Sequence, residues 1–294
     1  IFAFISSSLY LLYPYFFGHA QFNEKDIPFL SFWIINTYIS LTIVESLFFE
    51  EKINNGKIIL LSLLTAFLIG IRTLGLLICF QYLISIIILF NIKKIHIFDF
   101  IKKNFKLFLI FTIPLFIFIY IFNPIFWHNP FVEVINSLDV MSKYWNELCT
   151  LTLGTCMKST NLPASYYFIW LFFKLPIIVL FGLALYPFCE SKLSKNKFAN
   201  FIIISLLITL IAVLAIFIIF NVAIYDELRH VMFLIPLIFI ISLSCIYLYN
   251  KKIFLIFGLI TSIFFVAENV SINPYQYTWM NSFAKFYNIN KNFE

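Results

Sequence analysis

Charge is what this sequence has least of. Asp, Glu, Lys and Arg make up 12% of its 294 residues, about half the share carried by soluble globular domains. A soluble domain with 62% hydrophobic residues and 40 Phe could not hide its apolar surface. Glycine is scarce as well. The seven present form no glycine-rich phosphate loop or nucleotide fingerprint, so a sugar-nucleotide or ATP site on the inner face is not supported. The four His and five Cys show no metal-ligand spacing. No cofactor is therefore implied, and a divalent metal has no evident ligand set. No signal-peptide pattern precedes the first apolar run, which begins at Ile1, and the expectation is that a helix and an outer loop lie upstream.

What is present is length of apolar run. Nine hydrophobic segments can be drawn, at about 1–17, 28–49, 58–70, 73–91, 107–126, 167–188, 201–224, 231–249 and 253–268. Several reach the roughly 18 residues that cross a bilayer core of about 30 Å. The expected class is an all-α polytopic membrane protein, with residues 1–294 forming a single integral membrane domain. Segments 58–70 and 73–91 flank Arg72 and also read as one broken helix. Residues 95–106, with Ile97, Phe98, Ile101 and Phe105 on one face and lysines on another, predict a helix lying in the inner interface on anionic lipid.

The loops sort into two sets. One set holds Lys52, Lys57, Lys93, Lys94, Lys102, Lys103, Lys106, Lys192, Lys195, Lys197, Lys251 and Lys252. The other holds Lys25, Arg72, Lys143, Lys158, Arg229, Lys285 and Lys291. By the positive-inside rule the richer set is cytoplasmic. The net charge of +6 is then a matter of topology and membrane lipid, with no nucleic-acid partner implied. The outer side carries the loop 18–27, Arg72, an outer-face segment at 127–166 expected to form surface helices, the loop YDELRH (225–230) and the tail from Glu268. Cys149 and Cys156 share that outer segment, where an oxidising compartment permits pairing.

Chemistry gathers on this outer side. In GHAQFNEKDIP (18–28), Glu24 and Asp26 precede Pro28 and suit the first turn of a helix, where carboxylates cap and complement the dipole. A functional alternative is that Glu24 and Asp26, with Lys25 and His19, bind a charged headgroup at the mouth of the bundle. Arg72, between two half-length apolar segments, is costly unless it meets water, phosphate or carboxylate. Lys174 sits inside its span in YYFIWLFFKLPI; it either snorkels to the surface or serves a site. YDELRH crowds Tyr225, Asp226, Glu227, Arg229 and His230 into one turn, and arginine pairs with phosphate through two parallel hydrogen bonds.

Four stretches together resemble a family: YPYFFGHAQFNEKDIPFLSFW (13–33), SYYFIWLFFKLPI (165–177), YDELRHVMFLIP (225–236) and NPYQYTWMN (273–281). They resemble the C-type-fold membrane glycosyltransferases of the protein O-mannosyltransferase and aminoarabinose transferase type, nearest to the bacterial branch likened to dolichyl-phosphate-mannose-protein mannosyltransferases. In that branch the third stretch reads R-H-x-x-F-x-x-P, and the fourth carries His and Tyr where Asn273 and Trp279 stand here.

The resemblance implies inverting transfer of mannose or another sugar from a polyprenyl or dolichyl phosphate carrier to a protein, lipid or glycan acceptor. It implies the bacterial-type inner membrane, with the active face toward the periplasm or exterior. It places the catalytic base in the first outer loop, upstream of Ile1. It gives Asp26 and Lys25, with Glu24 and His19, to the donor site, Arg229 and His230 to the carrier phosphate, and Lys174 and Tyr167 to the aromatic-lysine-proline stretch. Arg72 joins them on physical grounds, as a cation that a carrier phosphate would explain.

Two other classes compete. A multi-pass transporter or lipid flippase for an anionic substrate would use broken helices with Arg72, Lys174 and Glu45 on its path; its polarity would gather about the midplane. A lipid-linked-glycan ligase or polymerase would carry more outer arginines than the two here.

Overall fold

The structure is a computed structural model and describes residues 1–94, 96–130, 132–133, 135–137, 147–287 and 293. Among these the chain is predominantly helical. Six helical stretches are long and apolar enough to cross a membrane: Asp26–Phe48, Thr73–Lys93, Ile97–Phe122, Lys197–Ile219, Arg229–Tyr249 and Lys251–Ser271. A seventh arises if the pair Ala164–Lys174 and Ile177–Ala184, bent by 117°, is one broken span. The chain is thus a polytopic helical membrane protein, with six or seven spans among the described residues by length and composition; the nine segments drawn from the sequence are not all confirmed as spans.

Helix breaks account for the difference. Segment 1–17 divides into α1 (Phe2–Leu12) and α2 (Pro14–Phe22), because Tyr13 leaves helical geometry ahead of Pro14. Eleven residues at 1.5 Å each reach only about 16 Å. The helix α3 is Asp26–Phe48 and α4 is Asn55–Ile71, whose 17 residues stop at extended Arg72. A short 3-10 turn leads into α5 (Leu77–Lys93). The surface helix expected at 95–106 is not a separate element. Ile97–Phe122 is one continuous helix, α6, since neither Pro nor Gly interrupts residues 97–107. Ile97, Phe98, Ile101 and Phe105 are exposed on it.

The later elements are α7 (Ala164–Lys174), α8 (Ile177–Ala184), α9 (Tyr186–Leu193), α10 (Lys197–Ile219), α11 (Ile235–Tyr249) and α12 (Lys251–Ser271). The 127–166 segment departs from expectation in part. Residues 130, 132–133 and 135–137 are helical, as expected, whereas Cys149–Thr152 (β1) and Thr155–Lys158 (β2) form an antiparallel hairpin in place of a helix. Leu153 and Gly154 take φ of 50° and 77°, as a two-residue hairpin turn requires. Cys149 and Cys156 are joined by a disulfide. Residues 138–146 of that segment, Lys143 included, lie outside the described residues, as does Lys291.

The chain divides into two compact units. One comprises Ile1–Ile27, Trp145–Lys197 and Leu210–Glu294. Its centre is α11, where Ile235, Leu237, Ile238, Phe239, Ile241, Leu243 and Ile246 are all buried, the all-round burial of a core helix. The helix α8 crosses it at Gly182, where a Cβ would stand 2.4 Å from the Ser242 carbonyl oxygen. Trp170 on α7 donates from Nε1 to Thr152 Oγ1 at 3.0 Å and so ties the hairpin down.

The other unit comprises Pro28–Tyr144 and Phe198–Thr209. Buried polar groups join its helices: Asn36 Oδ1 accepts from Thr65 Oγ1 and from Tyr82 OH, both at 3.0 Å. Gln81 Nε2 donates to Thr37 Oγ1 at 2.9 Å. In lipid such interhelical bonds contribute about 1 kcal/mol each. An apolar cavity of about 280 Å³, lined by Val44, Leu61, Ile86 and Phe108, lies among α3 to α6. Half-buried Arg72 belongs to this unit, at the break between α4 and α5.

Candidate functional site

The site is built where helices stop. The helix α7 ends at Lys174 because Pro176 has no N–H to continue the ladder, which frees the carbonyls of the last turn. Each freed carbonyl finds a partner from far along the chain. Asn281 Nδ2 donates to the Phe172 carbonyl at 2.6 Å and to the Leu175 carbonyl at 2.8 Å. Asn281 N donates to the Phe173 carbonyl at 2.8 Å, and Tyr13 OH donates to the Lys174 carbonyl. This is how irregular backbone is sustained where water is scarce. Its consequence is to hold the Lys174 side chain with no exposed surface.

Lys174 does not snorkel. Its Nζ lies 2.6 Å from Glu227 Oε2, donates at 3.4 Å to the Tyr277 carbonyl, and sits 4.8 Å from the Tyr15 ring and 5.6 Å from Trp170. Glu227 comes from YDELRH, whose backbone carries strain: Asp226 and Glu227 take φ of 54° and 61° in succession. Left-handed non-glycine residues cost on the order of 1–2 kcal/mol each, and the ion pairs hold the turn in place. Burial pushes the Glu227 carboxyl above its ordinary value, against the opposing pull of Lys174.

The second pair starts at the other polar loop. Asn23 caps α3: its Oδ1 accepts from Asp26 N at 2.9 Å and from Lys25 N at 3.3 Å. Its Nδ2 donates to Asp26 Oδ2 at 2.7 Å. Asp26 stands in the first turn of α3, as expected of a carboxylate that complements the helix dipole, and its side chain reaches Arg229, whose Nε donates to Oδ2 at 2.6 Å. Arg229 Nη1 also donates to Asp226 Oδ2 at 3.0 Å. Asp26 is buried and Asp226 exposed, so Arg229 bridges an inner and an outer carboxylate.

A cavity of about 530 Å³ opens on these groups, lined by His19, Asp226, Glu227 and Arg229 together with Phe22, Tyr277, Met280 and Phe293. Gly18 makes its aromatic wall possible. A Cβ there would stand 2.1 Å from Tyr277 N, so only glycine lets the 276–278 turn lie against α2. Phe22 and Tyr277 meet edge to face at 5.0 Å. His19 is buried, and desolvation pushes its pKa down to about 3, with Lys174 and Arg229 adding to the shift and Asp26 opposing it. It is a neutral imidazole at physiological pH.

Four of the residues expected to form a site therefore come together: His19, Asp26, Lys174 and Arg229. Glu24 and Lys25 are exposed beside it. His230 packs edge to face on Tyr225 at 4.5 Å. Tyr167 is buried against Phe217, and it is Tyr166 whose hydroxyl donates to the Glu227 carbonyl at 3.2 Å. Arg72 stands in the other unit.

Sequence reasoning passed over Asn23, Tyr166 and Asn281, and left Glu227 without a role. The Asn-x-x-Asp spacing of Asn23 and Asp26 is a legible N-cap signal; nothing local marks the rest. Among the described residues no group of three or more His, Cys, Asp or Glu side chains could hold a metal ion. Comparison with protein-family models, with curated proteins and with solved structures finds no match.

Proposed function

We propose that the chain belongs to a membrane glycosyltransferase of the C-type fold, moving a sugar from a polyprenyl-phosphate carrier to a protein, lipid or glycan acceptor on the outer face, with inversion. The observation that carries this reading is the cavity of about 530 Å³ whose lining combines Arg229 and two carboxylates with aromatic side chains. Aromatic faces suit the apolar face of a hexose ring, carboxylates suit its hydroxyls, and a guanidinium suits a phosphate. In this reading Asp26, Asp226 and Glu227 set Arg229 and Lys174 in place, and His19 serves as a neutral hydrogen-bonding wall. These residues bind and position the donor. The base that takes the acceptor's proton is assigned, by the resemblance, to a loop preceding them.

The test is transfer of radiolabelled sugar from polyprenyl-phosphate donors in membranes holding the full-length protein, wild type beside Asp26→Asn and Arg229→Ala. Loss of transfer in both variants at equal protein level is the expected result. Wild-type rates in both would remove the cavity from the reaction.

The broken spans at Arg72 and at Leu175–Pro176 favour one second reading, a transporter or flippase for an anionic lipid or sugar phosphate. Counterflow of labelled substrate in vesicles, without transfer from any donor, would select it.

A further inference from the structure

The two cations of this cluster are already paired. Lys174 is held by Glu227 at 2.6 Å, and Arg229 by Asp26 at 2.6 Å and Asp226 at 3.0 Å. With His19 neutral, the described residues of this cluster bring two cations and three carboxylates, one negative charge in excess. An anionic headgroup entering this cavity meets that excess, and in a partly desolvated site like charges several ångströms apart repel strongly. A site built for an anion must therefore change its charge when the anion arrives.

One residue stands where that change is possible. Glu227 lines the cavity, and Lys174, with no exposed surface, lies behind it and is absent from the cavity wall. Asp26 is buried in contact with Asn23 and Arg229, and Asp226 is exposed to water. Neither shields a buried cation from the cavity.

We propose that Glu227 is a positioning residue that takes up one proton when an anionic phosphate headgroup binds, letting the Lys174 ammonium pair with that phosphate in its place. The inference rests on reading the cavity as a carrier-phosphate site. The balance is simple: one proton passes from solvent to Glu227 Oε2, Lys174 keeps its own, and no bond of the ligand is made or broken. The charged and titratable groups facing Glu227 are Lys174 and Tyr166 from α7, Tyr15 and His19 from α2, Tyr13 at the α1–α2 break, Asp26 at the start of α3, and Asp226 and Arg229 of its own loop. Burial already raises the Glu227 carboxyl toward the protonated form, which lowers the cost of the step.

The experiment measures binding of a polyprenyl phosphomannose, a phosphodiester with no ionisation of its own near neutrality, to full-length protein in nanodiscs between about pH 5 and pH 8. Wild type is expected to bind more tightly as pH falls, approaching tenfold per pH unit, the slope of one proton taken up on binding. Glu227→Gln, which is neutral at every pH, is expected to bind with the low-pH affinity of wild type and no slope. Glu227→Gln leaves Lys174 without its counter-ion, so the double variant Lys174→Gln/Glu227→Gln is measured beside it and is expected to bind weakly, again without slope. A flat wild-type profile, or a wild-type slope retained in either variant, overturns the proton uptake while leaving the carrier site standing. No binding by wild type at any pH overturns both.

Discussion

Arg229 donates to Asp26 at 2.6 Å across 203 positions of sequence, and the same guanidinium holds Asp226 three residues away. One fork thus joins the start of α3 to the strained turn before the Arg229–Leu234 3-10 helix. Asp26 is 3% exposed and Arg229 29%, so the pair sits between the weak surface case and the costly buried one. Asp26→Asn is expected to lower unfolding free energy by about 2 kcal/mol. In a double-mutant cycle with Arg229→Gln the coupling should exceed about 1 kcal/mol. Coupling near zero, read from thermal unfolding in detergent, would mean the contact contributes nothing.

Asn281 serves three carbonyls around the α7 break with one residue. Asn281→Ala removes the two bonds to carbonyls, and the one its Oδ1 accepts from Phe283 N, and leaves buried acceptors, each costing about 1–3 kcal/mol. Asn281→Leu, close in volume, tests whether polarity matters more than packing. Both variants should lose several degrees of Tm. An Asn281→Leu protein as stable as wild type would contradict the capping role.

The neutral His19 makes a signed prediction about pH. Its folded pKa, about 3 against an ordinary 6.5, means the unfolded chain binds more protons between those values. Stability therefore falls as pH drops through that window, by at most about 1.4 kcal/mol per pH unit. The raised Glu227 carboxyl acts the other way, removing stability as pH rises above the ordinary carboxylate range. Comparing wild type with His19→Gln isolates the imidazole: on acidification below about pH 6, wild type should lose stability faster. Parallel pH curves for the two proteins would show that His19 carries no such shift.

Adjacent tyrosines separate site from packing. Tyr166 hydrogen-bonds the Glu227 carbonyl at 3.2 Å, whereas Tyr167 packs on Phe217. In the transfer assay Tyr166→Phe should lower the rate by roughly fivefold, the equivalent of one hydrogen bond of about 1 kcal/mol. Tyr167→Phe should leave it near the wild-type value. The reverse order would return the role to Tyr167.

Cysteine labelling checks the hairpin. Cys149 and Cys156 are paired and Cys79, Cys189 and Cys245 are free thiols. Protein isolated without reductant and denatured should take three maleimide-polyethylene-glycol additions, and five after reduction. Five additions before reduction would show the pair open. A pair that forms in cells would also place this loop in the oxidising compartment.

The sequence alone determined the class of this protein and the whereabouts of its polarity. Apolar run length and scarcity of charge are local properties, and lipid leaves a chain so built few options beyond helices that satisfy their own backbone. The break at Arg72, and the crowding of polar residues into 18–26 and 225–230, were legible for the same reason. Tertiary structure decided the rest. Which acid meets which base depends on distant segments converging, so Lys174 with Glu227 and Asp26 with Arg229 leave no mark in either neighbourhood. Whether Tyr166 or Tyr167 faces the turn is a matter of helix phase, set by the docking of Trp170 against Thr152. The number of spans hung on where breaks fall, because Tyr13 and the Leu175–Pro176 bend interrupt segments that hydropathy alone draws through. Asn281 acquires its role only because the chain returns to the end of α7 and meets carbonyls that Pro176 has left unpaired.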